Sequence, residues 1–175
     1  MSQGNNRNKR LLRISLVGFM CSGKTTIGKM LAKKLGWDFI DVDNEVERIE
    51  GMSIPYIFQL KGETYFRKKE KEVLLDFLNR EKIIISTGGG LGADPEIMNL
   101  LKKKSLTVWL KISYESFKKR CGKDDNRPLL KREEKEIKNL FRKREETYKQ
   151  AHLVVDENSP EEIVRLIVNF RKDFY

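Results

Sequence analysis

Two cysteines and a single histidine are all the soft-metal chemistry that the 175 residues contain. Cys21, Cys121 and His152 are far apart in the chain and form none of the short Cys/His spacings of a zinc site. His152 therefore reads as structural. So few cysteines fit a reducing, cytoplasmic setting better than a disulfide framework. Long apolar runs are missing too, since none approaches the roughly 18 residues of a membrane span. The first ten residues are polar and basic without an apolar centre, unlike a secretory signal. They read as a flexible basic tail, and 11–175 as one domain. Only four prolines occur, and no Pro-rich or Gly/Ser-rich linker divides the chain. The net charge of +10 raises the question of nucleic acid. Yet there is no basic stripe interleaved with aromatics of the kind that stacks bases. The Lys and Arg alternate instead with Glu at helical spacing, as in Lys61 to Glu72 and Arg132 to Lys149, which suits solvated helix faces and small anionic substrates.

What the chain does have is a phosphate loop. Gly18-Phe19-Met20-Cys21-Ser22-Gly23-Lys24-Thr25 carries two glycines at the required spacing, then Lys and Thr. The apolar run Ile14 to Val17 leads in, and an amphipathic pattern (Ile27, Met30, Leu31, Leu35) leads out. A strand delivering such a loop to a helix N-terminus points backbone N–H groups at a phosphate. Lys24 can reach the terminal phosphates and the Thr25 hydroxyl can ligate Mg²⁺. Cys21 is read as a small filler of this loop, with a reactive thiol near a helix N-terminus as the alternative.

Further along, Trp37 to Ile40 reads as a second strand with Asp41-Val42-Asp43 at its end. Their spacing predicts both carboxylates on one face of an extended segment, with a helix from Asn44. Gly62 introduces a helix with Phe66, Val73, Leu74 and Phe77 as its core stripe. On it Arg67 lies one turn from both Glu63 and Glu70, in a form suited to bidentate grip of a carboxylate. The β-branched run Ile83 to Thr87 predicts a strand buried on both faces and ends in Gly88-Gly89-Gly90, where a ligand can approach bare backbone. Leu106 to Ile112 gives a fourth strand, and Ser113 caps the helix through Arg120. A charged segment, about 122–132, reads as a mobile lid containing Arg127. A helix to about Gln150, a fifth strand at Leu153 to Val155 and a last helix from Ser159 follow. Five strands alternating with helices predict a three-layer α/β/α fold on a parallel sheet, its active edge beyond the strand C-termini.

In this order the motifs resemble those of the shikimate kinases over nearly the whole chain after the tail. Gly18 to Thr26 is similar to the family's phosphate loop, Asp41-Val42-Asp43 to its paired aspartates, and Gly62-Glu63 with Phe66-Arg67 and Glu70 to its acceptor-side helix. Thr87 to Gly90 resembles its glycine-rich strand end, Arg127-Pro128-Leu129-Leu130 its lid, and Arg144 with Tyr148 and Ala151 its later substrate helix. Cys21 departs from the small residue, such as Gly, that relatives often carry there. Lys143 and Glu146 depart from the Glu and Pro usual around Arg144. The resemblance implies the nucleoside-monophosphate-kinase type of P-loop fold, with strand order 2-3-1-4-5. It implies Mg²⁺-dependent transfer of the ATP γ-phosphate to the 3-hydroxyl of shikimate, on the route to chorismate and the aromatic amino acids. Nucleotide would be held by Gly18, Cys21, Ser22, Gly23, Lys24, Thr25 and Thr26, with Arg120 near adenine and Arg127 closing over the phosphates. Thr25 and Asp41 would serve Mg²⁺. Shikimate would meet Asp43, Arg67, Gly88, Gly89, Gly90 and Arg144, with Asp43 as base and Lys24 and Arg127 as the other catalytic groups. A monomer with no nucleic-acid or membrane partner is expected. The nearest alternative is another small-molecule kinase of this fold, such as one for gluconate. A nucleic-acid-binding P-loop protein is the rival from a different class.

Overall fold

Burial on both faces decides which strands are central. The computed structural model describes residues 12–121 and 128–174. In it β1 (Arg13–Val17), β3 (Ile83–Ser86) and β4 (Leu106–Leu110) are buried at every position. β2 (Asp38–Asp41) and β5 (Leu153–Val155) are partly exposed and form the edges. The sheet is wholly parallel in the order β2-β3-β1-β4-β5, the order that the resemblance implies. Alternate side chains leave opposite faces of each strand. Ile14, Leu16, Ile84, Leu106 and Val108 pack against Ile27 and Leu31 of α1 (Lys24–Leu35) and against Ile163 and Ile167 of α9 (Pro160–Asp173). On the other face Val17, Ile83, Ile85 and Trp109 share a core with the remaining helices. These include α2 (Val42–Glu50), α3 (Ile54–Lys61), α4 (Glu63–Phe77), α6 (Pro95–Lys104) and α8 (Glu134–Tyr148). A single turn, α5 (Gly89–Gly92), follows β3, and α7 (Tyr114–Cys121) follows β4.

Where helices start is set by local chemistry. Asp94 and Ser159 accept N–H bonds from the first turns of α6 and α9, and both helices have Pro at the start, where its missing N–H costs nothing. Ser113 does the same for α7 through the Ser116 N–H at 3.0 Å. His152 is structural, accepting the Thr107 N–H at 3.0 Å through Nδ1 while its ring packs on Phe174. The second strand begins one residue later than expected, at Asp38, and the fourth ends two earlier, at Leu110.

The paired aspartates are where the expectation fails. Helix α2 begins at Val42, not Asn44, so Asp41 and Asp43 do not share one extended segment. Asp41 ends β2 and caps α2, its Oδ1 accepting the Asn44 N–H at 3.1 Å. Asp43 is in the first helical turn. The cap explains the earlier start, because an N-cap carboxylate satisfies a first-turn donor and favours the helix's positive end.

Candidate active site

The C-terminal ends of β1, β2 and β3 open into one cleft of about 1110 Å³. Loop residues 20–26 line it, with Asp41, Asp43, Arg67, Glu70, Gly88, Gly89, Gly90 and Arg144. The loop leaves β1 at Gly18, and Gly23 (φ 92) turns it into α1 with no side-chain cap. The helix's first N–H groups are therefore left for a ligand. Lys24 Nζ donates to the carbonyls of Gly18 (2.7 Å) and Phe19 (3.0 Å). The Thr25 hydroxyl donates to Asp41 Oδ2 at 3.1 Å. Thr25 and Asp41 thus present two hard oxygens side by side at the cleft. Mg²⁺ commonly takes only one or two protein ligands and fills its octahedron with water and substrate phosphate. Among the described residues no larger cluster of metal-binding side chains exists, and for this ion none is needed.

The acceptor side is built around the three glycines, and each is needed for a different neighbour. A Cβ on Gly88 would stand 2.5 Å from Glu70 Oε1 and 2.7 Å from Asp43 Oδ1. One on Gly89 would meet Arg144 Nη1 at 3.0 Å, and one on Gly90 Arg67 Nη1 at 2.7 Å. The bare turn therefore brings two carboxyl groups and two guanidinium groups around one short stretch of backbone. Arg67 is held from its own helix, by Glu70 Oε2 at 2.8 Å and Glu63 Oε1 at 3.4 Å. Arg144 stacks over the Phe19 ring, 5.4 Å from its centroid. Tyr148, fully buried, donates its hydroxyl to the Gly89 carbonyl at 2.6 Å and so pins the turn to α8.

Two acids in this pocket are not in their ordinary state. Burial pushes the Glu70 carboxyl up to about 8, and the charge of Asp43 adds to the rise. Burial also raises Asp43, against an opposing hydrogen bond with Glu70. Asp43 Oδ1 and Glu70 Oε1 are both buried, and neither has a hydrogen-bond partner elsewhere among the described residues. Two adjacent buried acids cannot both ionise cheaply, which adds to the upward displacement of Glu70. Burial lowers Arg144 as well, with Tyr148 and Glu70 opposing.

A second, smaller cavity of about 220 Å³ lies on the far side of the loop, lined by Ser22, Thr26, Arg120, Glu157 and Pro160 among others. Arg120 donates to the Cys21 carbonyl at 3.4 Å and pairs with Glu157 Oε2 at 3.5 Å. Arg127 and most of the expected lid lie outside the described residues. The lid's later part forms a 3₁₀ turn, Pro128–Lys131, from which Leu129 reaches the cleft wall with Arg132 beyond it.

One reading from sequence is overturned. In this structure Cys21 is neither a free filler nor a free thiol, because it is bonded to Cys121 at the end of α7. The fold brings residues 100 apart in sequence to a Cα separation of 6.1 Å, well within disulfide reach. Nothing in the spacing could signal this.

The shikimate kinase family model matches residues 20–172, which takes in every feature of the cleft from Met20 onward. The chain belongs to the shikimate kinase family. It is 51% identical over 158 residues to the shikimate kinase of Aquifex aeolicus, covering 90% of this chain and 94% of that protein. The crystal structure of the Aquifex aeolicus shikimate kinase superposes with a TM-score of 0.83 at 52% identity, over 89% of this chain and 94% of that one. A shikimate kinase from Acinetobacter baumannii, solved in complex with shikimate, gives 0.86 at 35% identity, with 93% of each chain covered. As a member of the shikimate kinase family the chain is a P-loop phosphotransferase with ATP as co-substrate.

Sequence reasoning saw Glu70 only as a partner for Arg67 and missed its place against Asp43. The signal was available. Glu70 lies on the same helical stripe as Phe66, Val73, Leu74 and Phe77, and an acid on a core-facing stripe needs a reason. Phe19, which carries Arg144, gave no such signal.

Proposed function

We propose that the cleft binds shikimate between Arg67, Arg144 and the three-glycine turn, and transfers the γ-phosphate of ATP to its 3-hydroxyl. The observation that carries this is the glycine turn itself. Two cations for a carboxylate and a buried acid for a hydroxyl converge on a stretch of backbone that carries no side chains. Arg67 and Arg144 lie on different helices and approach from two sides, which fixes a carboxylate's orientation as well as its charge. Asp43 orients the attacking hydroxyl and takes its proton, a role for which its burial-raised pKa suits it. Lys24, now held by loop carbonyls, supplies positive charge to the phosphates with the N–H groups of Gly18 to Thr26. Thr25 and Asp41 hold Mg²⁺, which when bound neutralises phosphate charge. Arg120 borders the smaller cavity and serves the base of the nucleotide. Arg127 is assigned by its motif alone, as the lid's contribution to the phosphates.

The same reading makes the molecule a monomer of one domain with a short tail and a lid at about 122–132, acting on small molecules in the cytoplasm, without nucleic acid. No helix among the described residues is long and apolar enough to cross a membrane. A cytoplasmic setting has to accommodate the Cys21–Cys121 bond, which is met if that bond is reversible. The test is an ATP-coupled assay across shikimate, quinate, gluconate and nucleoside monophosphates. Shikimate should be turned over fastest. Preference for gluconate or a nucleotide would replace this assignment with another kinase of the fold.

A further inference from the structure

The phosphate loop contains a backbone conformation that its residue type does not favour. Cys21 has φ 61, and among the described residues only Lys82 shares a positive φ without being glycine. A side chain in this left-handed region crowds its own carbonyl, so such a residue persists only where its surroundings hold it. Ser22 and Gly23 follow directly, so the direction of their N–H groups depends on the torsions at Cys21. Among the described residues two bonds tie Cys21 to another element, and both come from the end of α7. One is the bond to Cys121 and the other the Arg120 donation to the Cys21 carbonyl. That helix is itself fixed. Cys121 is completely buried, and Phe117 packs edge-on against Phe19 of the loop and beside Phe141 of α8.

We propose that Cys121 is a positioning residue for the nucleotide, its bond to Cys21 holding the phosphate loop in the shape that receives phosphate, so that nucleotide affinity follows the redox state of the pair. The inference rests on the nucleotide reading of the loop. Closing the bond converts two thiols to one S–S bond and releases two protons and two electrons. A small-molecule disulfide accepts them and becomes two thiols. Exchange starts at Cys21, which is partly buried on the cleft wall, whereas Cys121 is completely buried. Its thiolate attacks the incoming disulfide, and the Cys121 thiolate then displaces the second thiol. A dithiol reverses both steps. Once reduced, Cys21 is free to leave φ 61. If the loop then keeps its receiving shape for about a tenth to a third of the time, affinity falls about three- to tenfold.

The experiment titrates ADP by calorimetry into protein oxidised with a small-molecule disulfide and into protein reduced with a dithiol, counting free thiols in each. Kd for ADP should rise by about three- to tenfold on reduction, and KM for ATP should follow, with kcat at saturating ATP changing less. Cys121→Ser should bind ADP at the weaker value under both conditions. Cys21→Gly should not respond to redox, because glycine visits this φ unaided, and it should bind more tightly than Cys121→Ser. Equal Kd in wild-type protein whose thiol count has gone from none to two overturns the proposal. So does a fall in melting temperature on reduction with no change in Kd, which would make the bond a staple only. Cys121→Ser binding as tightly as oxidised wild type overturns it as well. Absence of ADP binding in every state would overturn the nucleotide reading along with it.

Discussion

Glu70 has no exposed surface and sits beside a second acid, so its proton affects stability as well as chemistry. Its pKa in the folded chain is raised from the ordinary 4.5 to about 8. Between those values the folded chain keeps a proton that the unfolded chain has released. Linkage then requires the empty protein to lose stability as pH rises through that window. Glu70→Gln keeps the shape and cannot titrate, so denaturation midpoints at pH 5 and pH 8 should differ less in the variant than in wild type. Parallel profiles would show that Glu70 is ionised throughout. The two aspartates separate by a different measurement. Asp43→Asn should retain nucleotide binding and lose about 10²–10⁴-fold in kcat, the usual size of a general-base contribution. Asp41→Asn should instead be partly rescued by raising Mg²⁺, since Asp41 is placed against Thr25 and not against the glycine turn. A magnesium titration that rescues Asp43→Asn and not Asp41→Asn would reverse the assignment.

At the scale of elements, the site depends on α1 lying close against β2. Gly28 is buried on α1, and a Cβ there would overlap the ring of Phe39. Gly28→Ala therefore sets two effects against each other. Alanine favours a helix interior by about 1 kcal/mol over glycine. Forcing Phe39 off its seat costs about 1–3 kcal/mol, the range for overpacking. The overlap lies on the ring and not on a flexible chain end, so the clash should win. Urea unfolding should show net destabilisation of up to about 2 kcal/mol, and a more stable variant would mean that β2 can shift without harm. The same closeness shows what was legible. Period and glycine punctuation gave the strands to within two residues, because strands buried on both faces leave unbroken apolar runs such as Ile83 to Ile85. The start of α2 was misplaced because Asp41 serves as cap and site residue at once, whereas the pattern offers the two roles as alternatives and favours the site role. The Cys21–Cys121 bond left no trace, because it depends on where α7 ends in space. The use of the three glycines was half visible: bare backbone could be read, the charged groups filling each missing side chain could not.

For the molecule as a whole, the net charge of +10 is the property that no single site explains. Many of the charged side chains are paired and cancel, such as Arg48 with Glu45, Lys118 with Glu134 and Arg165 with Glu162. Exposed pairs of this kind contribute little to stability. The excess of Lys and Arg over Asp and Glu, 36 against 26, acts at longer range, on anything anionic that approaches. Both substrates of the proposed reaction are anions. The field reaches about 30 Å at an ionic strength of 0.01 M and about 8 Å at 0.15 M, so raising salt across that interval removes most of the attraction outside the cleft. Contacts inside are shielded less. The expected outcome is that kcat/KM for ATP falls several-fold while kcat stays level, because steering changes encounter and not transfer. A non-reacting duplex of about 20 base pairs separates this from the nucleic-acid alternative. Neutralising six to ten DNA phosphates would give binding that weakens about 10³–10⁵-fold between 50 and 200 mM salt, whereas small-anion steering gives no such slope. If the duplex inhibits at low salt with that steepness and kcat/KM for ATP does not move, the charge belongs to a nucleic-acid surface. If kcat/KM moves and the duplex has no effect, the basic surface serves the small anions alone.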